Sequence, residues 1–110
     1  MSTLKETADF ILQSLGSSDR FGVRAMFGEY ALYADEKVVA LICDDTLYLK
    51  VTDANRATLS DHEQGPPYPG AKPHWIITER DMRDMSTFQN MLISVAQSIP
   101  AKKKKSTPQK

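Results

Sequence analysis

The sequence predicts an α+β fold of two layers, in which an antiparallel sheet of about four to five strands carries helices on one face. Stretches with apolar residues at helical spacing lie near both ends of the chain. Short runs rich in Val, Ile, Leu and Tyr lie between them, separated by acidic pairs that are typical of tight turns. The expected order of elements is therefore helix, meander, short helix, strand, helix.

The first helix is expected from Leu4 to Leu15. Thr3 and Glu6 have the spacing of a capping box, in which both side chains accept hydrogen bonds from backbone N–H groups at the helix start. Gly16 can adopt the left-handed conformation that ends a helix. One apolar stripe follows the helical period: Leu4, Ala8, Ile11, Leu12 and Leu15. We expect this stripe to pack on the sheet.

A meander of strands is expected to follow. Strands are predicted at Glu29–Ala34, Val38–Cys43 and Leu47–Val51, with a shorter one before them at Val23–Met26. The few residues between consecutive strands leave room only for hairpin turns, so neighbouring strands should be antiparallel. In Leu47–Val51 the side chains alternate in polarity, which predicts a sheet with one face covered.

A short helix, a loop and a further strand are expected next. Thr52 or Asp53 can cap a helix that reaches about Leu59. The segment Ser60–Lys72 contains three prolines and two glycines, a composition typical of a loop. Pro73–Thr78, with the sequence Pro-His-Trp-Ile-Ile-Thr, is predicted as a further strand. Its proline stands at the first position, where a missing N–H does least harm.

The last helix is expected to begin at Ser86, whose spacing to Gln89 repeats the capping box, and to end at Pro100. Its apolar stripe is Phe88, Met91, Leu92, Val95 and Ile99. Residues 101–110 contain almost nothing to bury, so we expect a disordered, lysine-rich tail. The folded domain should therefore span residues 1–100.

Charge is segregated along the chain, although the formal net charge is zero. Residues 1–99 hold nine Lys and Arg against fourteen Asp and Glu, a net charge of −5, and residues 100–110 hold five lysines and no acid. The body should therefore repel phosphates that the tail attracts. The run Lys102, Lys103, Lys104 and Lys105 predicts weak, non-specific and salt-dependent contact with nucleic acid, if the tail does more than keep the protein in solution.

The remaining composition favours a cytoplasmic protein without disulfides. Cys43 is the single cysteine, so no intramolecular bridge can form, and the Cys and His residues do not have zinc-ligand spacing. No apolar run approaches the roughly 20 residues of a membrane span. The amino-terminal residues also lack the apolar centre of a signal peptide.

The residues that carry reactive chemistry do not form a recognisable catalytic pattern. A nucleophilic enzyme would need Cys43 paired with His62 or His74, and their spacing favours no such pair. Asp61, His62, Glu63 and His74 do not recur at a spacing typical of metal ligands. We therefore expect neither catalysis nor a metal or other cofactor.

Recognition of a partner is the alternative that the residues favour. Tyr68 lies in a proline-stiffened loop, where fixing the chain on a partner costs little entropy, and His74 and Trp75 follow it. Packing in the core is the more typical role for Trp75. A competing hypothesis from another class places Arg24 and His74 together in a small-ligand or enzymatic pocket. Exposed sheet edges also predict a homodimer.

The segment Arg24-Ala25-Met26-Phe27-Gly28-Glu29-Tyr30-Ala31-Leu32-Tyr33 resembles the TfoX/Sxy N-terminal domain family. The matching positions are Arg24, Met26, Phe27, Gly28 and Tyr33, while Glu29 and Ala31 stand where the family commonly has glycine. The resemblance covers about Leu4 to Ile99. It implies an α+β domain, and full-length members act as transcriptional coactivators in natural competence.

A more distant resemblance is to YjbR-like proteins, carried by Lys72-Pro73-His74-Trp75-Ile76. The TfoX resemblance is the more extensive one, and it implies a non-enzymatic regulatory or interaction domain that acts through a protein partner. We expect the Tyr68 loop to be the main contact. The candidate contact residues are Arg24, Met26, Phe27, Gly28, Tyr68, Lys72, His74 and Trp75.

Overall fold

The computed structural model describes residues 3–16 and 19–99. Within these ranges the helices are α1 (Lys5–Ser14), α2 (Asp53–Thr58), α3 (Glu79–Met82) and α4 (Met85–Ser98). The strands are β1 (Phe21–Met26), β2 (Glu29–Ala34), β3 (Lys37–Cys43), β4 (Thr46–Leu49), β5 (Gln64–Gly65) and β6 (His74–Ile77). The element order agrees with the sequence-based expectation, except that α3 and β5 were not anticipated.

The strands form one open antiparallel sheet in the order β1-β2-β3-β4-β6-β5. The predicted α+β class is confirmed. The additional strand β5 has only two residues, and it pairs with β6 inside the segment that was predicted as loop. A bulge between Leu32 and Tyr33 shifts the register between β2 and β3.

The main core lies between the helices and one face of the sheet. From α1 it receives Ala8, Ile11 and Leu15, and from α4 it receives Phe88, Leu92, Val95 and Ala96. The sheet contributes alternate residues of its central strands, among them Leu32, Ile42, Leu47, Leu49 and Ile77. Both predicted apolar stripes therefore pack on the sheet, except at Leu4, which precedes α1 and is 59% exposed. Burial of these side chains supplies the main stabilisation of the fold, at roughly 1.5–3 kcal/mol for each large one.

The opposite face of the sheet carries a smaller apolar cluster. It consists of Ala31, Leu41 and Cys43, with Tyr33, Val38 and Tyr48 packed against them. These side chains shield one another from solvent. The helices and this cluster therefore occupy different faces of one sheet.

Three two-residue turns join the first four strands. The turn residues are Phe27-Gly28, Asp35-Glu36 and Asp44-Asp45, and all six have φ between 52° and 81°. Positive φ at both central residues is the geometry of a type I′ turn, whose twist matches that of the flanking strands. The acidic pairs thus lie at hairpin turns, as the sequence predicts.

The predicted capping box at the start of α1 is wrong. Leu4 is the N-cap residue and makes no side-chain cap. Thr3 is buried, and its Oγ1 lies 2.6 Å from Glu29 Oε1 and 3.1 Å from the carbonyl oxygen of Ile42. The Asp45 carboxylate instead accepts a hydrogen bond from the Leu4 N–H at 2.8 Å. The helix start is therefore held by the β3–β4 turn, because Thr3 is used in a tertiary contact.

The predicted cap of the last helix is also wrong. Helix α4 begins at Met85, one residue before Ser86, and its N-cap is Asp84, which accepts from the Thr87 N–H at 3.1 Å. Gln89 reaches across the fold and donates from Nε2 to the Leu15 carbonyl at 2.8 Å. The predicted stop at Pro100 and the lysine-rich tail lie outside the described residues. In the part of the chain that the structure describes, no helix has the length and apolarity needed to cross a membrane.

Candidate functional site

The structure divides the candidate contact residues between the two ends of the sheet. Arg24 and Met26 belong to β1, and Phe27 and Gly28 form the turn that follows. His74 lies in β6, and β2, β3 and β4 stand between it and β1. Four strand spacings separate the two groups by roughly 19 Å. The hypothesis that Arg24 and His74 line one pocket is therefore wrong.

The turn between β1 and β2 presents an exposed aromatic side chain. We call Met26, Phe27 and Gly28 the hairpin tip. Phe27 is 98% exposed and Met26 is 40% exposed. Phe27 has φ 53°, in the left-handed region that side chains other than Gly, Asn and Asp rarely adopt. The phenylalanine therefore contributes almost nothing to the core and stands in a backbone conformation that it does not favour.

Arg24 lies beside the hairpin tip on the face without helices. Its guanidinium carbon is 5.2 Å from the centroid of the Tyr33 ring, within the range of a cation–π contact. The β1–β2 register pairs Arg24 with Ala31, which is small enough to leave the ring accessible to the guanidinium. The contact holds the guanidinium against Tyr33, which pairs with Gly22 and therefore lies further from the turn than Arg24 does.

Trp75 is not available as a contact residue. Its side chain is 4% exposed and belongs to the main core. The indole Nε1 donates to Asn55 Oδ1 at 2.8 Å, so its polar atom is satisfied inside the protein. The core-anchor interpretation of Trp75 is confirmed, and the recognition role is wrong.

Lys72 and His74 line a groove at the β6 end of the sheet. The His74 Nδ1 lies 2.8 Å from the Lys72 carbonyl oxygen, which can only accept, so Nδ1 carries the proton of this hydrogen bond. Tyr68 is 53% exposed in the loop between β5 and β6. We call the groove, lined by Lys50, Val51, Arg56, Gln64, Lys72, Pro73 and His74, the basic groove.

Lys50 and Arg56 were missed as site residues by reasoning from the sequence. Both come from the segment that runs from β4 into α2. Strand alternation places Lys50 on the sheet face opposite to Leu49, which was a usable signal. The position of Arg56 depends on how α2 packs, and the sequence did not reveal that.

Cys43 does not have the surroundings of a reactive thiol. It is buried, and burial together with the nearby carboxylates of Glu29 and Asp44 raises its pKa. A raised pKa reduces the thiolate fraction that a nucleophile needs.

The two histidine rings make their hydrogen bonds to groups other than the Cys43 thiol. The partners of His62 are Asp61 and Asp81, and the partner of His74 is the backbone carbonyl of Lys72.

His62 is held between two carboxylates. Its Nε2 lies 2.8 Å from Asp81 Oδ1, and its Nδ1 lies 3.2 Å from Asp61 Oδ1. Burial alone would lower the pKa of His62, but the hydrogen bonds and charges of the two carboxylates outweigh it and raise the pKa. Among residues 3–16 and 19–99, no group of three or more His, Cys, Asp or Glu side chains is arranged to hold a metal ion.

Comparison with known proteins supplies the family. The sequence model of the TfoX N-terminal domain matches residues 13–97. The chain belongs to the TfoX N-terminal domain family. It is also 43% identical over 103 residues to a Spirochaeta aurantia protein described as an uncharacterized 12.7 kDa protein in the trpE 5′ region. That alignment covers 94% of this chain and 89% of the relative.

Glu29 stands where the TfoX N-terminal domain family commonly has glycine, and its side chain makes two hydrogen bonds. The Glu29 Oε1 accepts from the Thr3 hydroxyl at 2.6 Å and from the Asp44 N–H at 3.1 Å. A glycine at this position has no side chain with which to make these bonds. Glu29 therefore ties the amino-terminal segment and the β3–β4 turn to the turn end of the β1–β2 hairpin.

Proposed function

We propose that this TfoX N-terminal domain is a cytoplasmic regulatory accessory domain that acts by binding a protein partner through the hairpin tip. The family contains competence regulators, and it is not a known enzyme family. Regulation in that setting requires contact with another macromolecule. The hairpin tip is the feature of the described residues that best suits a protein contact.

The exposure of Phe27 carries this proposal. A fully exposed phenylalanine gains nothing from the hydrophobic effect in the free protein. Its positive φ adds a backbone cost of roughly 1 kcal/mol or more. Asparagine or aspartate would form the same turn more readily, as Asp35 and Asp44 do at the other two turns. A side chain that disfavours folding at its position is best explained by a contact that the folded protein makes.

The residues around Phe27 have the composition of an interface centre. Aromatic residues, Met and Arg are enriched at protein–protein interfaces, and the tip presents Phe27 and Met26 beside Arg24. A protruding aromatic side chain fits a pocket on the partner, where burying it contributes most of the affinity. Arg24 is fixed over Tyr33, so little entropy is lost when it contacts the partner.

The Tyr68 loop, the contact expected from sequence, lies at the other end of the sheet from the hairpin tip. One small interface cannot include both regions. Tyr68 is 53% exposed, compared with 98% for Phe27, and its backbone does not have the positive φ of Phe27. We therefore assign the principal contact to the tip.

The test uses a photo-cross-linking amino acid at position 27, with position 10 as a control. Phe10 is 46% exposed on α1 and is thus a second exposed aromatic residue away from the tip. A partner captured from position 27 is then purified, and its Kd is measured for the wild type, Phe27→Asn and Phe10→Gln.

We expect Phe27→Asn to bind the partner at least about tenfold more weakly, because a hot-spot side chain is lost. The same variant should unfold at an equal or higher temperature, since asparagine before Gly28 is favoured in a type I′ turn. Phe10→Gln should bind as the wild type does. Equal binding by wild type and Phe27→Asn would overturn the proposal, as would equal losses at positions 27 and 10.

A further inference from the structure

The basic groove lies at the end of the sheet opposite to the hairpin tip. It is bounded by the segment from β4 to α2 on one side and by the β5–β6 loop and β6 on the other. Its volume is about 710 Å³, within the range of small-molecule sites. It shares no residue with the tip, so a ligand there is independent of the proposed protein contact.

The charge of the groove contrasts with that of the body. Its lining includes Lys50, Arg56, Lys72 and His74, and none of the described lining residues is acidic. Residues 1–99 as a whole carry a net charge of −5. Lys50, Arg56 and Lys72 bring three positive charges together from two segments of an acidic body. Solubility does not explain this grouping, because like charges repel one another.

Arg56 and His74 each have a contact that orients the side chain. Arg56 lies 3.4 Å from the Asp53 carboxylate, and both side chains are largely exposed, so this ion pair is weak. His74 is fixed by its bond to the Lys72 carbonyl, which leaves Nε2 as its remaining polar atom. An entering anion can therefore compete with Asp53 for Arg56, and the Nε2 of His74 can donate to that anion when the ring is protonated.

We propose that the basic groove binds a small phosphate monoester, with the phosphate among the basic side chains and the organic part against Val51 and Pro73. A phosphate dianion matches several converging cations better than a carboxylate does, because it carries more charge and more acceptor oxygens. Arginine can bind it through two parallel hydrogen bonds, and lysine acts as a point charge. The Gln64 side chain adds a neutral amide donor at the same groove.

Phenyl phosphate is a suitable probe, because it joins a phosphate monoester to one apolar ring. Its binding is followed by amide NMR shifts of the full chain at about 150 mM salt, where contacts between exposed charges are largely screened. Benzoate carries the same ring with a single charge, and inorganic phosphate carries the charge without the ring. These two probes separate the contributions of the phosphate and the ring.

We expect saturable binding of phenyl phosphate, with shifts centred on Val51, Lys72 and His74 and weaker binding of benzoate. Lys72→Gln and Arg56→Gln should each weaken binding by about tenfold, the loss of one charge-assisted hydrogen bond. Lys5→Gln, which removes an exposed lysine on α1, should have no effect.

Several results would overturn the proposal. Shifts spread over lysines throughout the chain, equal losses in Lys5→Gln and Lys72→Gln, or no saturation would indicate an adventitious ion only. Benzoate binding as tightly as phenyl phosphate would show that the groove does not select phosphate. A negative result in this experiment would not contradict the proposed protein contact at the hairpin tip, because the two sites share no residue.

Discussion

The Trp75 indole Nε1 donates a hydrogen bond to the Oδ1 of Asn55 at 2.8 Å, and both side chains are buried. The same Oδ1 accepts from the Thr52 N–H at 2.9 Å, and the Asn55 Nδ2 donates to the Lys50 carbonyl at 3.0 Å. One amide thus joins the start of α2, the end of β4 and the core residue of β6. The backbone around Lys50, which lines the basic groove, depends on this connection.

Asn55→Ala should lower the free energy of unfolding by about 2–4 kcal/mol, because it leaves buried polar groups without partners. The measurement is urea unfolding of the full chain. Asn90, which is exposed on α4, supplies the matched control. Asn90→Ala should be neutral or slightly stabilising, since alanine has the higher helix propensity. Equal effects of the two substitutions would contradict the structural role of Asn55.

Local sequence patterns predicted most of the fold because they follow from burial on one face. The alternation around Leu47–Val51 and the stripe of α4 both depend on neighbouring residues alone. The errors concern side chains used over long distances in the chain. Thr3 is an example, because its Oγ1 makes hydrogen bonds to Glu29 and to the Ile42 carbonyl and does not cap α1.

The site could be predicted only in part for the same physical reason. The residues of the tip were identified through the family resemblance, and their placement at a turn follows from Gly28. The exposure of Phe27 did not follow, because an apolar residue beside a strand is usually expected to pack. The basic groove joins segments about 20 residues apart in sequence, and strand order alone brings them together.

The pair His62 and Asp81 predicts a pH-dependent contribution to stability. Burial alone would raise the pKa of Asp81, but hydrogen bonds from Thr78 and the charge of His62 outweigh it and lower the pKa. The stabilisation that the ionised Asp81 carboxylate gives to the fold is therefore lost as the pH falls through its lowered pKa. The pKa of His62 is raised, so its contribution is present in acid and is lost as the pH rises through that pKa.

The free energies of unfolding of wild type and His62→Gln should therefore differ more at about pH 5 than at about pH 9. Urea unfolding across this range measures the difference. Asp81→Asn should remove most of the same pH dependence, and the double variant should add little to either single one. A difference between wild type and His62→Gln that grows toward alkaline pH would show that the ion pair is not its source.

Strand β1 predicts association of two copies. It is the outer strand at one side of the sheet, whereas the other outer strand, β5, has two residues and is followed by prolines. A Cβ added at Gly22 would meet nothing within 4 Å inside the protein. Glycine in a strand often marks a close approach by another backbone. We expect two β1 strands to pair antiparallel about Val23, with Arg24 of one copy opposite the partner's Gly22.

Ala25→Pro should shift the protein from dimer to monomer. Counted from the two-residue turn, the ladder directs the N–H of Ala25 away from β2, so proline removes a donor at the outer edge only. Sedimentation equilibrium measures the mass against the 12.3 kDa of one chain. Ala25→Ser keeps the N–H and should remain dimeric. A wild-type protein that stays monomeric at high concentration would rule out the association.

The lysine-rich tail predicts the form of any binding to nucleic acid. Lys102, Lys103, Lys104 and Lys105 can neutralise about four phosphates, so log affinity should fall with log salt at a slope of roughly −3.6. Affinity should drop on the order of 100-fold between about 50 and 200 mM salt. The net charge of −5 on residues 1–99 opposes any contact by the body, so the tail alone should carry the effect.

Deleting residues 101–110 should abolish this binding and leave the thermal unfolding temperature unchanged, because the sequence of these residues contains almost nothing to bury. A gel-shift series with the full and the shortened chain measures both the affinity and the salt slope. Replacing the four lysines by glutamine keeps the length of the tail and separates charge from chain length. Binding that persists in the shortened chain, or that distinguishes sequences at about 150 mM salt, would place the nucleic-acid contact in the folded body, since a screened lysine run cannot read bases.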